Sequence, residues 1–213
     1  MTQPSFRPAL PSDEERLGEI AYRTGFFGDS AARYFPDPHL FADLWVRPYL
    51  RGGGGASFVL EVNGRVEGYI LGAVDQGRYT RALLKVLLCR VLPKLLGGDY
   101  KQPWRTLPYF IRAALFAGPH ADWKLFPAHL HLNLLPDVRG KGYSRPLLER
   151  HLERLQELGV RGVQLSTTLE NVAALHVYRK YGFQVVAAKR TALWTPWLGH
   201  RAVHVALAKT LRR

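Results

Sequence analysis

Apolar and polar positions change their period several times along this chain, and each change marks an element. Residues 5–9 read as a short strand, and a helix is predicted to start near Ser12-Asp13-Glu14-Glu15, where a capping side chain and early acids suit the positive end of the helix dipole. A second, less regular helical stretch reaches about Leu50. Gly52, Gly53, Gly54 and Gly55 then interrupt regular structure. They lack the lysine and hydroxyl residue of a phosphate-binding P-loop and read as a flexible connector. Apolar runs at 58–62 and 66–74 flank Asn63-Gly64, a pair that favours the positive backbone angles of a two-residue hairpin.

Beyond Asp75 lie about fifty residues, too many for a bare loop, so this segment must carry structure of its own. Leu84, Leu87, Leu88, Val91, Leu92 and Leu95 recur three and four apart, with Arg81, Lys85 and Arg90 on a narrower polar side. That spacing predicts a helix whose wide apolar face is buried against the domain or a subunit, interrupted by Pro93 near its end. Pro103, Pro108, Pro119 and Pro127 punctuate a second segment rich in aromatics around Trp104, Tyr109, Phe110 and Phe116. The C-terminal half is more regular: a strand at 129–135, a helix at 144–158 closed by Gly159, a strand at 162–167, a helix at 171–181 closed by Gly182, and strands at 183–189 and 204–208.

Length and composition narrow the class. A chain of 213 residues suits one domain, or a domain carrying an insertion, and one domain is expected. Hydrophobic residues at 47% and charged residues at 22% argue against wholesale disorder, and no apolar run approaches the ~20 residues of a membrane span or the core of a signal peptide. Cys89 stands alone, which excludes an internal disulfide and a multi-thiolate metal site and makes the cytoplasm the expected compartment. Lys plus Arg number 30 against 17 Asp plus Glu, a net charge of +13 that attracts an anion: nucleic acid, an anionic membrane and a phosphorylated cofactor all fit. No nucleic-acid motif organises Trp104, Trp123, Trp194 and Trp197, so no specific nucleic acid partner is expected.

The stretch from Leu134 to Ser144 lies between a predicted strand and a predicted helix. Gly140 and Gly142 let the backbone approach a ligand closely, and amides at the helix N-terminus aim partial positive charge at an anion. A pyrophosphate fits such a turn, with Arg139, Lys141 and Arg145 adding charge.

This turn resembles the cofactor motif of the coenzyme A-dependent N-acetyltransferase (GNAT) superfamily: Arg or Gln, two residues, Gly, one residue, then Gly or Ala. Arg139, Gly142 and Ser144 hold those places, Ser144 departing from the usual residue but remaining small. A second likeness follows about thirty residues on, where Asn171 opens a helix carrying Ala174 and Tyr178 and closing on Gly182-Phe183. Together the two cover about residues 128–208.

The resemblance implies an α/β (α+β) fold: a GNAT-like mixed, largely antiparallel central sheet flanked by helices, as a single domain over residues 1–213 with a helical insertion at about 76–126. It implies that the backbone of Val138, Arg139, Gly140, Lys141, Gly142, Tyr143 and Ser144 binds the pyrophosphate of CoA. The strands at 129–135 and 162–167 are expected to splay and admit the pantetheine arm, with Leu134 and Leu135 offering backbone groups and Asn171 contacting the cofactor. Tyr178 then protonates the leaving thiolate, its phenol being un-ionised at neutral pH. The implied reaction is direct transfer of an acetyl or short acyl group from acetyl-CoA, with no metal, to a small-molecule or peptide amine.

His129 and His131, on one strand face with Asn133, are the candidate bases, directly or through water, with Glu61 and Asp75 as runners-up. The acceptor pocket is assigned to residues 26–50, 76–126 and 192–200. A competing reading is a noncatalytic acyl-CoA-binding or membrane-surface module built on the basic amphipathic segment 78–96. A homodimer is compatible with that segment, and peripheral membrane contact carries less weight.

Overall fold

In the computed structural model, which describes residues 3–211, one seven-stranded sheet organises the chain. Its strands are β1 (Ser5–Pro8), β2 (Phe58–Val62), β3 (Arg65–Ala73), β4 (Ala128–Leu134), β5 (Gly162–Thr168), β6 (Gln184–Thr191) and β7 (Ala202–Thr210), in the spatial order β1-β2-β3-β4-β5-β7-β6. Every neighbouring pair is antiparallel except β4 and β5. The sheet is thus mixed and largely antiparallel, as expected. Asn63 (φ 51°) and Gly64 (φ 74°) form the β2–β3 turn, both in the left-handed region that a primed two-residue turn requires.

Helices α1 (Glu14–Thr24), α2 (Pro38–Trp45) and α3 (Arg47–Gly52) precede β2. The helices α4 (Gln76–Val86), α5 (Leu92–Gly97) and α6 (Leu107–Leu115) fill the β3–β4 connection. The helices α7 (Ser144–Glu157), α8 (Val172–Lys180) and α9 (Thr195–Leu198) lie between the later strands. The sheet alternation assigns its two faces. His129 and His131 on β4 meet Tyr49 of α3 and Asn133 bonds Thr24 of α1, while Gly72 on β3 turns its bare face to His151 of α7.

The Gly52–Gly55 run is not the flexible connector its composition suggests. A Cβ on Gly53 would collide with the carbonyls of Tyr49 and Gly72, one on Gly52 with the Ala82 side chain, and one on Gly54 would come within 2.6 Å of Val74. The Val74 N–H donates to the Gly53 carbonyl at 3.1 Å. Glycine is required at 52, 53 and 54 because the backbones of α3, β3 and α4 meet here with no room for side chains, whereas Gly55 is selected by its left-handed backbone alone (φ 79°).

Pro93 also behaves differently from expectation. Its ring would clash with the carbonyl four residues back in an α-helix, but a π turn at Leu87–Val91 precedes it, and the Leu92 N–H reaches back to the Leu87 carbonyl. The helix therefore continues through α5 and ends at Gly98, left-handed at φ 76°.

The wide apolar face of this helix is only half used. Val86 and Val91 are buried, whereas Leu84, Leu88, Leu92 and Leu96 are 52%, 64%, 45% and 80% exposed. Much of the segment's attachment is polar instead. Asp43 on α2, almost fully buried, accepts from Arg47 (3.0 Å), Arg90 (2.8 Å), Lys94 (3.2 Å) and the Tyr100 hydroxyl (2.7 Å). Asp37, the N-cap of α2, accepts from the Leu40 N–H (2.9 Å) and the Gln102 N–H (3.1 Å). No helix among the described residues is long and apolar enough to cross a membrane.

Candidate active site

Strands β4 and β5 pair in register only at Ala128↔Val163 and His129↔Gln164. Past those two pairs they diverge, β4 staying with β3 and β5 staying with β7 along its whole length. The divergence opens the sheet, and a cavity of about 690 Å3 occupies the gap. Its walls come from both strands, from α8 and from the segments that precede α2 and follow β6.

At one end β4 runs into a short turn, Pro136–Val138, and then into α7 through Gly140 (φ 73°) and Gly142 (φ 80°). Nothing lies within 4 Å of a Cβ built on either glycine, so backbone angle rather than crowding selects the residue. The N–H groups of residues 140–144 donate to no group among the described residues, and they sit at the positive end of a 14-residue helix. Free amides at a helix N-terminus are suited to an anion. Val138, 4% exposed, anchors the turn in the core, and the half-buried Tyr143 packs edge-on to Phe6 at 6.3 Å. Lys141 is exposed beside those amides.

Three expectations about this turn are corrected. The N–H groups of Val138 and Arg139 donate to the carbonyls of Leu135 and Pro136 (3.1 Å each), so the free amides begin at Gly140. The Leu135 N–H is already bonded to the Glu67 carbonyl (3.0 Å) and its carbonyl to the Val138 N–H (3.1 Å), so this residue fastens the turn and offers no free group. The Arg139 guanidinium is drawn inward: Nε donates to the Leu134 carbonyl (2.8 Å) and Nη2 to the Gly28 carbonyl (2.7 Å). It therefore clamps the α1–α2 loop to the end of β4 and forms part of the cavity wall, alongside Leu134, Gly140 and Ser144.

Asn171 caps α8, accepting from the Ala174 N–H (3.4 Å) while its amide donates to Thr167 Oγ1 (3.2 Å), and it lines the cavity. One and two turns on, Ala174, Val177 and Tyr178 line it too. The Tyr178 ring rests edge-on to Phe183, centroids 5.5 Å apart, and burial pushes its phenol well above the usual value, so it holds its proton at neutral pH. Tyr181 instead bonds Glu149 at 3.1 Å.

Across the gap stand Tyr69, His131 and Asn133. His131 is an exposed residue of β4 that lines this open cavity, and partial loss of hydration among the surrounding walls shifts its pKa downward, to about 4, which favours the neutral imidazole at neutral pH. His129 shares its strand face but does not line the cavity. It lies against Tyr79 (4.7 Å), Tyr49 (5.3 Å) and Trp123 (5.7 Å), pushed by burial to about 3, with Nδ1 unpartnered among the described residues. Glu61 pairs with Arg7 at 3.0 Å and Asp75 caps α4 through the Arg78 N–H at 2.7 Å; neither lines the cavity.

The far end is aromatic, and all three segments assigned to an acceptor pocket contribute: Phe26, Phe27, Tyr34, Phe41 and Trp45 from the first, Tyr109 from the second, Trp194 from the third. Missed from the sequence were Thr24, Ser166, Thr167, Thr168 and His204. A signal existed for the hydroxyl trio, three consecutive Ser and Thr residues at the end of a strand. None existed for His204, an isolated strand histidine that is 5% exposed, opposite Thr168 in register, with Nε2 unpartnered among the described residues. No group of three or more His, Cys, Asp or Glu among the described residues is placed to hold a metal ion.

A sheet that parts between its two parallel strands, with an amide cradle at the end of one and a capped helix after the other, defines the N-acetyltransferase class of α/β fold. The Acetyltransferase (GNAT) family model matches residues 113–183, the stretch holding both features. Among solved structures, that of SsHAT is 28% identical, covers 100% of both chains and has a TM-score of 0.71. The structure of yncA from Salmonella typhimurium with its cofactor acetyl-CoA is 17% identical, covers 100% of this chain and 96% of that one, with a TM-score of 0.60.

Two curated relatives also match. The mycothiol acetyltransferase of Propionibacterium freudenreichii subsp. shermanii is 38% identical over 56 residues, 26% of this chain and 18% of that protein. The spore coat polysaccharide biosynthesis protein SpsD of Bacillus subtilis is 26% identical over 191 residues, 85% of this chain and 48% of that protein. The chain thus spans about half or less of the length of these curated relatives.

Proposed function

We propose that this chain is an N-acetyltransferase that moves an acetyl group directly from acetyl-CoA to an amine. One observation carries the reading: a single cavity runs from unpaired amides at the start of α7, through the β4–β5 gap, to Tyr178 on one wall and His131 on the other. The amides of residues 140–144 hold the pyrophosphate, assisted by Lys141. The pantetheine arm lies in the gap, where the diverging strands leave backbone groups without strand partners, and passes Leu134, Asn171 and Ala174 on its way to the thioester.

The amine nitrogen attacks the thioester carbonyl, and its proton becomes acidic as the C–N bond forms. The neutral His131 imidazole receives that proton directly or through water. As the intermediate collapses the C–S bond breaks, and the Tyr178 phenol gives its proton to the departing thiolate. The histidinium returns a proton to the phenolate by way of solvent, so the balance is amine plus acetyl-CoA to amide plus CoA. His129 supports His131 through the shared Tyr49 contact and takes no proton.

Two measurements test this. CoA at a hundred times its Kd should raise the melting temperature by roughly 6 °C, the equivalent of about 2.7 kcal/mol for a domain of this size. Gly142→Glu should abolish that rise by placing a bulky carboxylate in the cradle. Unchanged CoA affinity in folded Gly142→Glu, or no thiol release from acetyl-CoA with any amine, would overturn the proposal.

A further inference from the structure

Two independent features of the far chamber specify the body of the acceptor. The first is the wall itself. Tyr34 is the hub of an aromatic cluster, with ring centroids 4.8 Å from Tyr109, 4.9 Å from Trp194 and 6.0 Å from Phe26. Its hydroxyl donates to the Gly25 carbonyl at 3.1 Å, so its polar tip is satisfied within the protein and the buried ring forms part of the cavity wall. Among the described residues that line the cavity there is no Asp or Glu, and Arg139, at the cofactor end, carries the one permanent charge. The wall's tyrosines and histidines are neutral: burial pushes Tyr34 and Tyr109 up and His131 and His204 down.

The second is a strained turn. Phe27 has φ 52°, in the left-handed region that a bulky aromatic residue rarely adopts. Paired bonds between Phe26 and Asp29 (2.8 Å each way) and the Arg139 clamp on the Gly28 carbonyl (2.7 Å) hold it there. The turn turns two phenyl rings into the chamber, each 5.6 Å from Trp194. A glycine would satisfy the backbone at position 27 without strain, so the phenyl ring is retained for what it touches.

Resting on the acyl-transfer reading above, we propose that the acceptor is a monoamine carried on a flat, apolar ring body, which packs among Phe26, Phe27, Tyr34, Trp45, Tyr109 and Trp194. Ring walls reward offset and edge-on contact with another ring. They also tolerate a single ammonium through its attraction to aromatic faces. A second ammonium would lie against the ring walls without a carboxylate to pair with, which sets the site against polyamines.

The test uses the full chain with acetyl-CoA and reads thiol release. 2-Phenylethylamine, tryptamine and aniline are compared with 1,4-diaminobutane, spermidine and free lysine, and CoA affinity is measured separately by calorimetry. At least one ring-bearing amine should exceed every diamine by about 100-fold in kcat/KM, a margin of about 2.8 kcal/mol. Phe27→Gly, which relieves the backbone, should stay folded and raise KM for that amine about tenfold while leaving CoA affinity unchanged. Trp194→Ala should do the same. Absence of CoA binding overturns both this inference and the transfer reading. CoA binding with polyamines as the best acceptors, or an unchanged KM in Phe27→Gly, overturns this inference alone. So does a preference for an aromatic acyl-CoA, such as phenylacetyl-CoA, with small alkylamines, because the chamber would then hold the acyl group.

Discussion

The Tyr100 hydroxyl donates to the Asp43 carboxylate at 2.7 Å, joining residues 57 positions apart and fastening the segment between β3 and β4 onto α2. Arg90 and Lys94 reach the same carboxylate from the helix that precedes Tyr100. Burial raises the pKa of Asp43, but the bonds from Tyr100, Arg90 and Lys94 outweigh it and the net shift is downward. Asp43→Ala should cost roughly 3 kcal/mol, because it strands partners gathered around a buried site. A carboxyl with a depressed folded pKa stabilises above its unfolded value near 3.8 and loses that contribution as pH falls through the folded value. The gap between wild type and Asp43→Ala in urea midpoint should therefore narrow below pH 4, and an equal gap at pH 7 and pH 2.5 would contradict the assignment.

His151 predicts a second, higher acid transition. It is fully buried in α7 with Nδ1 2.7 Å from the Ala56 carbonyl, and burial holds its pKa down to about 4 against an ordinary 6.5. Between those two values the unfolded chain binds a proton that the folded chain refuses. Stability is full above pH 6.5 and declines toward pH 4, with a slope approaching ~1.4 kcal/mol per pH unit for one such group. His151→Leu, whatever its own cost at pH 7, should reduce that slope. Denaturant titrations at half-unit pH steps measure it.

The glycine corner and the leucine stripe make opposite predictions from residues of similar appearance in the sequence. Gly53→Ala should cost more than ~2 kcal/mol, since its Cβ meets two backbone carbonyls that cannot move independently. Leu88→Asp, on a side chain 64% exposed, should change stability by less than ~1 kcal/mol, while Val86→Asp, two residues earlier and 6% exposed, should unfold the helix attachment. Comparable melting temperatures for the two aspartate variants would mean that the stripe is covered in solution.

Tyr178→Phe keeps the ring on Phe183 and removes the only acidic proton. Turnover should fall roughly tenfold to a thousandfold, with CoA affinity little changed. Full turnover in Tyr178→Phe, measured where chemistry limits the rate, would leave the phenol as packing.

A further expectation concerns pH. With His131 held near 4, kcat/KM for a weakly basic acceptor such as aniline should stay flat from pH 6 to 8. An acid limb with a midpoint near 6.5 would show instead that the imidazole titrates normally.

The sequence by itself determined the parts of this protein that local rules govern. Asn63-Gly64 required positive angles and gave the hairpin, and Asn171 and Gly182 bounded α8. Gly140 and Gly142, placed between a strand and a helix, marked the left-handed turn that leads into α7. Those signals depend on one residue's backbone preference or on a period within one element, so they survive being read one segment at a time.

What only the tertiary structure decided depends on which distant segments meet. Of His129 and His131, identical by strand alternation, only the second reaches the cavity, because Trp123 and Tyr79 close over the first. Arg139 could have faced an anion; the Gly28 carbonyl, 111 residues away, drew it inward. The four glycines looked like slack chain, and the leucine spacing looked like a buried face. Packing reversed both, because crowding at a corner and exposure of a helix face are properties of neighbours in space. The composition of the far chamber, rings without a carboxylate, likewise exists only once the three segments converge.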